Sequence, residues 1–424
     1  MFIGIDDTDS PAGMCTTYLG AVLGERLREG GMEVVEMRLV RLNPNAPYKT
    51  RGNATVCIEA RGDPERAFGI AAAAIDEFAD LSCENTNPGL VVVEERPDPA
   101  FYWKAVRHFC SIEEACDLLE ESAALYRGWK NGRGLIGATA GVASELPDRT
   151  WELLAYRRPE CWGTRRAVER SSVFAAEAAT YPHTWDSVDR QNGVVVCVPH
   201  TPDPVLYGIR GESAAWVQEA GSMIRAEEPE RLTVWITNQG TDAHLIDGEI
   251  GTLLEGRSYR VRGRVAERAS TGEGGHVRAL LEDGDKHLAC MAFEPTKGFR
   301  EVVRGLVPGD TVLACGSCRH GALNLEKIRI DTLSEDTIYR PPLCPTCGSR
   351  MTSAGREKGY KCRKCGARAQ EPETSLRPRS VQKGWFEVPP VARRHLSRPQ
   401  VREGLDQRDT PLPLDPIETS IKER

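Results

Sequence analysis

Apolar and polar positions alternate between two periods along the first half of the chain. Phe2-Ile3-Gly4-Ile5 reads as a short buried strand, and it ends abruptly at the polar run Asp6-Asp7-Thr8-Asp9. Tyr18, Leu19, Val22, Leu23 and Leu27 then recur at helical spacing, which predicts a helix opening near Thr16 with that residue as its N-cap. Val34 to Leu42 and Ala54 to Ala60 read as strands on either side of a long polar loop, residues 43–53. Pro64 opens an Ala-rich helix, Gly89 to Glu94 reads as a strand, and Ser111 to Glu114 forms a capping box before a helix ending near Ala124. The glycine-rich run from Gly128 to Gly137 leads into an apolar helical stretch through Val142. Strands and helices that alternate in this way predict an α/β layer structure over residues 1–149.

The pattern changes twice more. Beyond Thr150, Val194 to Val198 reads as a buried strand and Pro199 to Arg210 as a loop broken by three prolines. Ser213 starts a helix reaching Met223, and Leu232 to Thr237 is the next strand. This order suits a small ferredoxin-like α/β domain over residues 150–253. From Gly256 the segments Tyr259 to Val265, Val277 to Leu281, His287 to Phe293, Thr311 to Cys315 and Leu323 to Ile330 are short strands with glycine turns. They predict an OB-fold barrel over residues 254–335. Residues 338–370 carry Cys344-Pro345-Thr346-Cys347 and Cys362-Arg363-Lys364-Cys365, and residues 371–424 form a basic C-terminal tail that reads as disordered past Arg402.

Candidate chemistry sharpens this outline. Two CxxC pairs on glycine knuckles supply four thiolates, so Cys344, Cys347, Cys362 and Cys365 are expected to bind zinc as a zinc ribbon. Asp6, Asp7 and Asp9 repel one another unless a cation sits among them; hard oxygen ligands favour magnesium, and magnesium accompanies nucleotide phosphates. An acidic turn that merely caps the following helix is the plainer alternative. Lys130, Gly132, Arg133 and Gly134 could cradle phosphates, or the glycines could serve only a turn and close helix packing.

Charge is distributed unevenly. The net charge is -7, yet from Ile338 to Arg424 there are 18 Lys and Arg against 10 Asp and Glu, so the zinc-bearing end is basic inside an acidic chain. Local positive charge of this kind suits nucleic acid. Lys297 and Arg300 on the barrel, Arg363 and Lys364 on a knuckle, and Arg393 and Arg394 in the tail are candidate RNA contacts. No run of about twenty apolar residues and no signal-peptide pattern occur, so a cytoplasmic protein that does not enter membranes is expected. The remaining cysteines among the fourteen, including Cys315 and Cys318, read as buried reduced thiols.

In their order, Phe2 to Asp9, Gly13-Met14-Cys15-Thr16-Thr17, Arg51-Gly52-Asn53, Gly132 to Gly137, Val205 to Ser213, the ribbon and Ala392 to Leu396 resemble the archaeal tRNA-Ile 2-agmatinylcytidine synthetases. The resemblance covers nearly the whole chain. It implies a kinase-like catalytic domain ahead of the ferredoxin-like, OB and zinc-ribbon units. It also implies an ATP-dependent ligase that attaches agmatine to carbon 2 of the wobble cytidine of the isoleucine tRNA with a CAU anticodon. The reaction passes through a phosphorylated cytidine and changes decoding from AUG to AUA. ATP, Mg2+ and Zn2+ are the implied cofactors, and a monomer is assumed. Thr16 would be the phosphorylated threonine, with Thr17 second. Asp203, Glu212 and Asp242, on two polar loops, are the candidates for agmatine's guanidinium. A non-catalytic OB and zinc-ribbon scaffold, or an RNA modifier using another amine such as lysine, are the alternatives.

Overall fold

The computed structural model describes residues 1–49 and 52–404. Thr50, Arg51 and the end beyond Gly404, where most of the expected disordered tail falls, lie outside the described residues. The chain begins with β1 (Phe2–Asp6), α1 (Thr16–Glu29), β2 (Glu33–Arg41), β3 (Ala54–Arg61), α2 (Pro64–Phe78) and β4 (Gly89–Val93). It continues with α3 (Ala100–Arg107), α4 (Ile112–Glu121), β5 (Leu125–Gly128) and α5 (Gly134–Val142). Strand periodicity sorts the two faces. Ile3, Ile5, Leu90 and Val92 pack with Leu19, Leu23 and Ile75 of α1 and α2, while Val91 and Val93 pack with Leu135, Ala138 and Val142 of α5 on the other side.

One difference from expectation lies at the start of α1. Its N-cap is Cys15, and Thr16 is the first helical residue; the Asp9 carboxylate takes the Thr16 N–H that a cap side chain would otherwise satisfy. Ser111 does form its capping box with Glu114, and Ser213 does cap its helix.

The next elements are β6 (Thr150–Tyr156), α6 (Arg170–Thr180), β7 (Thr184–Trp185), β8 (Val188–Asp189), β9 (Val194–Val195), β10 (Val205–Gly211), α7 (Ala214–Ser222) and β11 (Arg231–Thr237). The strand expected over 194–198 shrinks to two residues, and half of the proline-broken loop is β10. The two N-terminal units share one nine-stranded sheet among the described residues, in the order β5-β4-β1-β3-β2-β11-β6-β10-β7. Their joint is a parallel pairing of Arg38 and Leu39 in β2 with Ile236 and Thr237 in β11. Strands so distant in sequence announce no pairing through local periodicity.

The barrel consists of β12 (Leu245–Gly248), β13 (Ser258–Thr271), β14 (Val277–Asp283), β15 (Lys286–Ala292), α8 (Phe299–Arg304), β16 (Thr311–Arg319) and β17 (Ala322–Thr332). Pairing runs β13-β14-β15-β17-β16 and returns from β16 to β13, which closes the sheet, with β12 added in parallel on β13. Cys315 and Cys318 are buried on β16, and burial pushes the Cys315 thiol up to about 12, as befits an inert core thiol.

Beyond the barrel, β18 (Asp336–Arg340) pairs with β22 (Glu373–Arg377) as a stalk. The stalk carries a three-stranded ribbon of β19 (Thr352–Ser353), β20 (Tyr360–Lys361) and β21 (Arg368–Ala369). Strand β23 (Gly384–Glu387) then returns to β17. Residues 388–404, expected as a free basic tail, instead form a strap between the barrel and the nine-stranded sheet. Gly240 and Asp242 donate backbone hydrogen bonds to the carbonyls of His395 and Leu396. Buried Arg402 pairs with Asp148 and Glu212. A basic sequence reads as a solvated tail until the buried carboxylates that neutralise it are seen. No helix among the described residues is long and apolar enough to cross a membrane.

Candidate active site

Strand β1 sits in mid-sheet between β3 and β4, so its terminus is held from both sides. Asp6 ends the strand and Asp7 turns the chain with φ of 57°, a left-handed conformation that Asp tolerates better than most residues. Asp9 accepts the Thr16 hydroxyl at 2.7 Å, and Thr8 donates to the same hydroxyl oxygen at 3.0 Å. Thr16 is buried. Burial first, and the Asp7 charge second, push the Asp6 carboxyl well above the usual carboxylate range. Burial lifts Asp7 to about 7, although the Arg133 guanidinium opposes it. Such crowding is relieved by a cation, and this oxygen donor set fits magnesium.

Helix α5 approaches this corner without a side chain in the way. A Cβ on Gly137 would stand 1.6 Å from Asp6 Oδ2. At Gly134 a Cβ would stand 2.3 Å from Gly89 N, so this glycine serves close backbone packing. The amides of Gly132 and Gly134 donate to the carbonyls of Trp129 and Asn87, both at 2.9 Å. Lys130 donates to the carbonyls of Cys83, Glu84 and Thr86, and Thr86 in turn donates to the Asp9 carbonyl at 2.7 Å. Three of the four expected phosphate residues are therefore occupied in shaping the loop beneath Asp9. Arg133 alone faces the site, forked onto Asp7 at 2.9 and 3.1 Å.

These groups floor a cavity of about 330 Å³. Its far wall is largely apolar, with Leu42, Ala46, Pro47, Tyr48, Phe109 and Ile136. An acidic, arginine-bearing floor and an apolar wall match the phosphate and base ends of a nucleotide. A second cavity of about 550 Å³ lies on the other side of Asp9 and Thr16, which line both. Glu152, Asp203, Arg210 and His395 line this second space.

The three residues expected to hold a guanidinium do not converge. Asp203 is at the second cavity, where it accepts from Val205 N at 2.9 Å and lies 3.4 Å from Arg166. Glu212 accepts from Trp185 Nε1 at 2.9 Å and from Arg402 Nε at 2.6 Å. Asp242 is bound by Lys327 at 2.6 Å and by the Arg398 amide at 2.7 Å. Glu212 and Asp242 thus anchor the strap, and neither lines the cavity. Glu152, which sequence reasoning missed, does line it; the signal was a lone carboxylate inside the apolar run Trp151 to Tyr156. Glu152 accepts from Arg210 at 3.2 Å and from Gln239.

The candidate RNA contacts divide similarly. Arg363 and Lys364 are exposed on the ribbon. Lys297 pairs with Glu294 at 3.1 Å, and Arg300 donates to the Gly275 carbonyl at 2.7 Å. Arg393 is buried between Asp186 and Glu387, and Arg394 donates to Asn45 at 3.1 Å, so both act in the strap. In the ribbon, Cys344 and Cys365 sulfurs are 3.4 Å apart and those of Cys347 and Cys362 3.5 Å, with all four inside 4.8 Å. Tetrahedral zinc at about 2.3 Å from each sulfur requires sulfur separations of about 3.8 Å, so the cluster fits.

Known proteins resemble this chain along nearly its whole length. Family models described as the TiaS TCKD domain, the TiaS FLD domain and the TiaS C-terminal zinc ribbon domain match residues 2–68 with 59–129, 132–244 and 341–381 respectively. The tRNA-Ile 2-agmatinylcytidine synthetase TiaS of Methanocorpusculum labreanum is 50% identical over 403 residues, covering 95% of this chain and 97% of that protein. The Methanosarcina mazei enzyme of the same name is 47% identical over 97% of this chain and 99% of its own length. A crystal structure of TiaS in complex with isoleucine tRNA and ATP superposes with a TM-score of 0.88 at 43% identity, covering 96% of this chain and 98% of that one. A complex of TiaS with isoleucine tRNA, AMPCPP and agmatine gives 0.85 at 41% identity over the same shares. With curated relatives this similar over nearly their full length, the chain belongs to the tRNA-Ile 2-agmatinylcytidine synthetase (TiaS) family.

Proposed function

We propose that this chain is an ATP-dependent ligase that attaches agmatine to carbon 2 of the wobble cytidine of isoleucine tRNA, by way of a phosphorylated cytidine. The observation that carries the reading is the shared wall. Asp9 and Thr16 line both the nucleotide-shaped cavity and the acid-bearing one beside it, so a phosphoryl group and an amine can meet across them. Carbon 2 of cytosine is a poor electrophile until its oxygen becomes a leaving group. Phosphorylation supplies that leaving group, and the amine then displaces it as phosphate. Positioning and electrostatics do most of this work.

In this reading Arg133 leaves Asp7 to clamp phosphate oxygens, and Asp9 holds the Thr16 hydroxyl in line to accept a phosphoryl group. Magnesium, held by Asp6 and Asp7, would neutralise phosphate charge. Glu152 and Asp203 supply carboxylates for the guanidinium of agmatine, which has no carboxylate of its own to be repelled; lysine does. The 1–149 unit acts as a kinase-like domain. The 150–253 unit keeps a ferredoxin-like role, and the closed strand path with a helix between β15 and β16 supports the OB assignment. Zinc on the ribbon cysteines would present Arg363 and Lys364 to RNA. A reaction on tRNA suits a cytoplasmic enzyme. The test is incubation with isoleucine tRNA transcript, ATP and labelled agmatine, followed by nucleoside analysis with lysine as competitor. Label should enter the wobble nucleoside only with ATP present and resist excess lysine; unlabelled tRNA, or lysine incorporation, would overturn the reading.

A further inference from the structure

Three segments remote in the chain meet at a third cavity, of about 240 Å³. The end of β2 brings Arg41, the following loop Lys49, the end of β16 Arg319, and the strap Arg394 and His395. No carboxylate lines this space among the described residues. It adjoins the other two cavities, sharing Leu42, Lys49 and Asn53 with the nucleotide cavity and Arg41 and His395 with the second.

The available counter-charges are already shared with closer partners. Glu152 stands 3.9 Å from Arg41 but 3.2 Å from Arg210. Glu326 is 3.5 Å from Arg394 and 3.0 Å from His244. Arg319 has no ion pair among the described residues, and the buried Nε of Arg41 has no hydrogen-bond partner there. The cations also oppose one another. Burial, then Arg394 and Arg319, push the Lys49 ammonium down, and burial, then Arg41, Arg210 and Lys49, hold His395 well below its ordinary value. A cationic pocket retained at that cost is balanced when an anion enters it, and guanidinium forks match phosphate oxygens best.

We propose that this third cavity is a phosphoryl-binding site, taking either a backbone phosphate of the substrate RNA beside the reactive nucleotide or the phosphate that the amine displaces. The assignment of these two sources rests on the tRNA-modifying reading above; the anion chemistry of the cavity does not. Both sources present the same tetrahedral oxyanion, and a position beside both the nucleotide and the amine cavity suits either.

Arg319→Glu and Lys49→Glu test the site in the full chain, since both residues line the cavity yet keep much of their surface in solvent, so reversing their charge leaves the core intact. Transcript binding is measured across a KCl series, inhibition by inorganic phosphate in the agmatine assay, and phosphate binding directly by calorimetry. A backbone phosphate predicts a roughly tenfold loss of tRNA affinity in each variant and a log K against log salt slope reduced by about one. A displaced phosphate predicts unchanged tRNA affinity with phosphate inhibition weakened roughly tenfold. Variants that keep wild-type tRNA affinity, salt slope and phosphate binding would overturn the proposal. A wild-type chain that binds phosphate by calorimetry, but neither tRNA nor agmatine, would instead overturn the proposed function and leave the cavity assigned.

Discussion

Replacing Gly137 by Ala should uncouple catalysis from stability. The added Cβ would lie 1.6 Å from Asp6 Oδ2 and 2.5 Å from its Cγ, where ordinary contact begins at 3.4 Å. Something must retreat by about 1.8 Å. Helix α5 cannot, because α3 and α4 pack behind it, with Phe101, Ala105 and Ala115 clustered on Ala140 and Leu119 on Leu135. The Asp6 carboxylate must therefore swing away from the cluster. Alanine gains about 1 kcal/mol in helix propensity, while overpacking costs about 1–3 kcal/mol, so the net loss is about 0–2 kcal/mol and the melting temperature falls only a few degrees. A displacement of that size at a reacting centre costs about a hundredfold in rate. The assay is agmatine incorporation into the isoleucine tRNA transcript, with circular dichroism melting alongside. On an Asp6→Asn background the same substitution should cost little more, because the carboxylate it displaces is already disabled. Turnover within about threefold of wild type, with normal melting, would refute the claim that Asp6 acts from this position.

Asp7→Asn should lower turnover by at least about a hundredfold while tRNA affinity, measured by filter binding, stays within about twofold, since the ribbon and barrel are untouched. Removing the ribbon zinc with a chelator, or making Cys362→Ser, should unfold the ribbon alone: metal analysis should lose one zinc and tRNA affinity should fall, while tRNA-independent ATP binding survives. Burial raises the Glu177 carboxyl to about 7, so the folded state binds a proton that the unfolded chain releases near 4.5; stability is therefore lost as pH rises between about 4.5 and 7. Glu177→Gln, which can still accept from Val188 N, should flatten the pH dependence of the unfolding free energy from urea titrations across that window, differing from wild type by up to about 3 kcal/mol at pH 8. Arg393→Ala leaves Asp186 and Glu387 without their buried partner, so it should cost about 3–5 kcal/mol and expose the strap to limited proteolysis, with the salt dependence of tRNA binding unchanged.

Whatever depends on near neighbours is legible along the chain. The apolar run Phe2 to Ile5 that stops at three aspartates locates a strand end with its carboxylates in one place, because a strand cannot carry that charge inward. Two CxxC pairs determine a four-sulfur cluster, since each knuckle holds its own pair and only their meeting remains to be made. Ser111 and Ser213 mark helix starts through bonds that span three residues. Tertiary structure decided what depends on partners far along the chain. The pairing of β2 with β11 joins two expected domains in one sheet. Glu212 and Asp242, polar loop residues by pattern, become anchors because Arg402, Lys327 and the Arg398 amide reach them from the strap and barrel. Arg393, a basic tail residue by pattern, is neutralised within the fold by Asp186 and Glu387. Glu152 enters the site only because β6 lies between β10 and β11. A side chain's charge is written in the sequence, but the group that answers it is set by packing, and that answer determines whether the charge binds a ligand or holds the fold together.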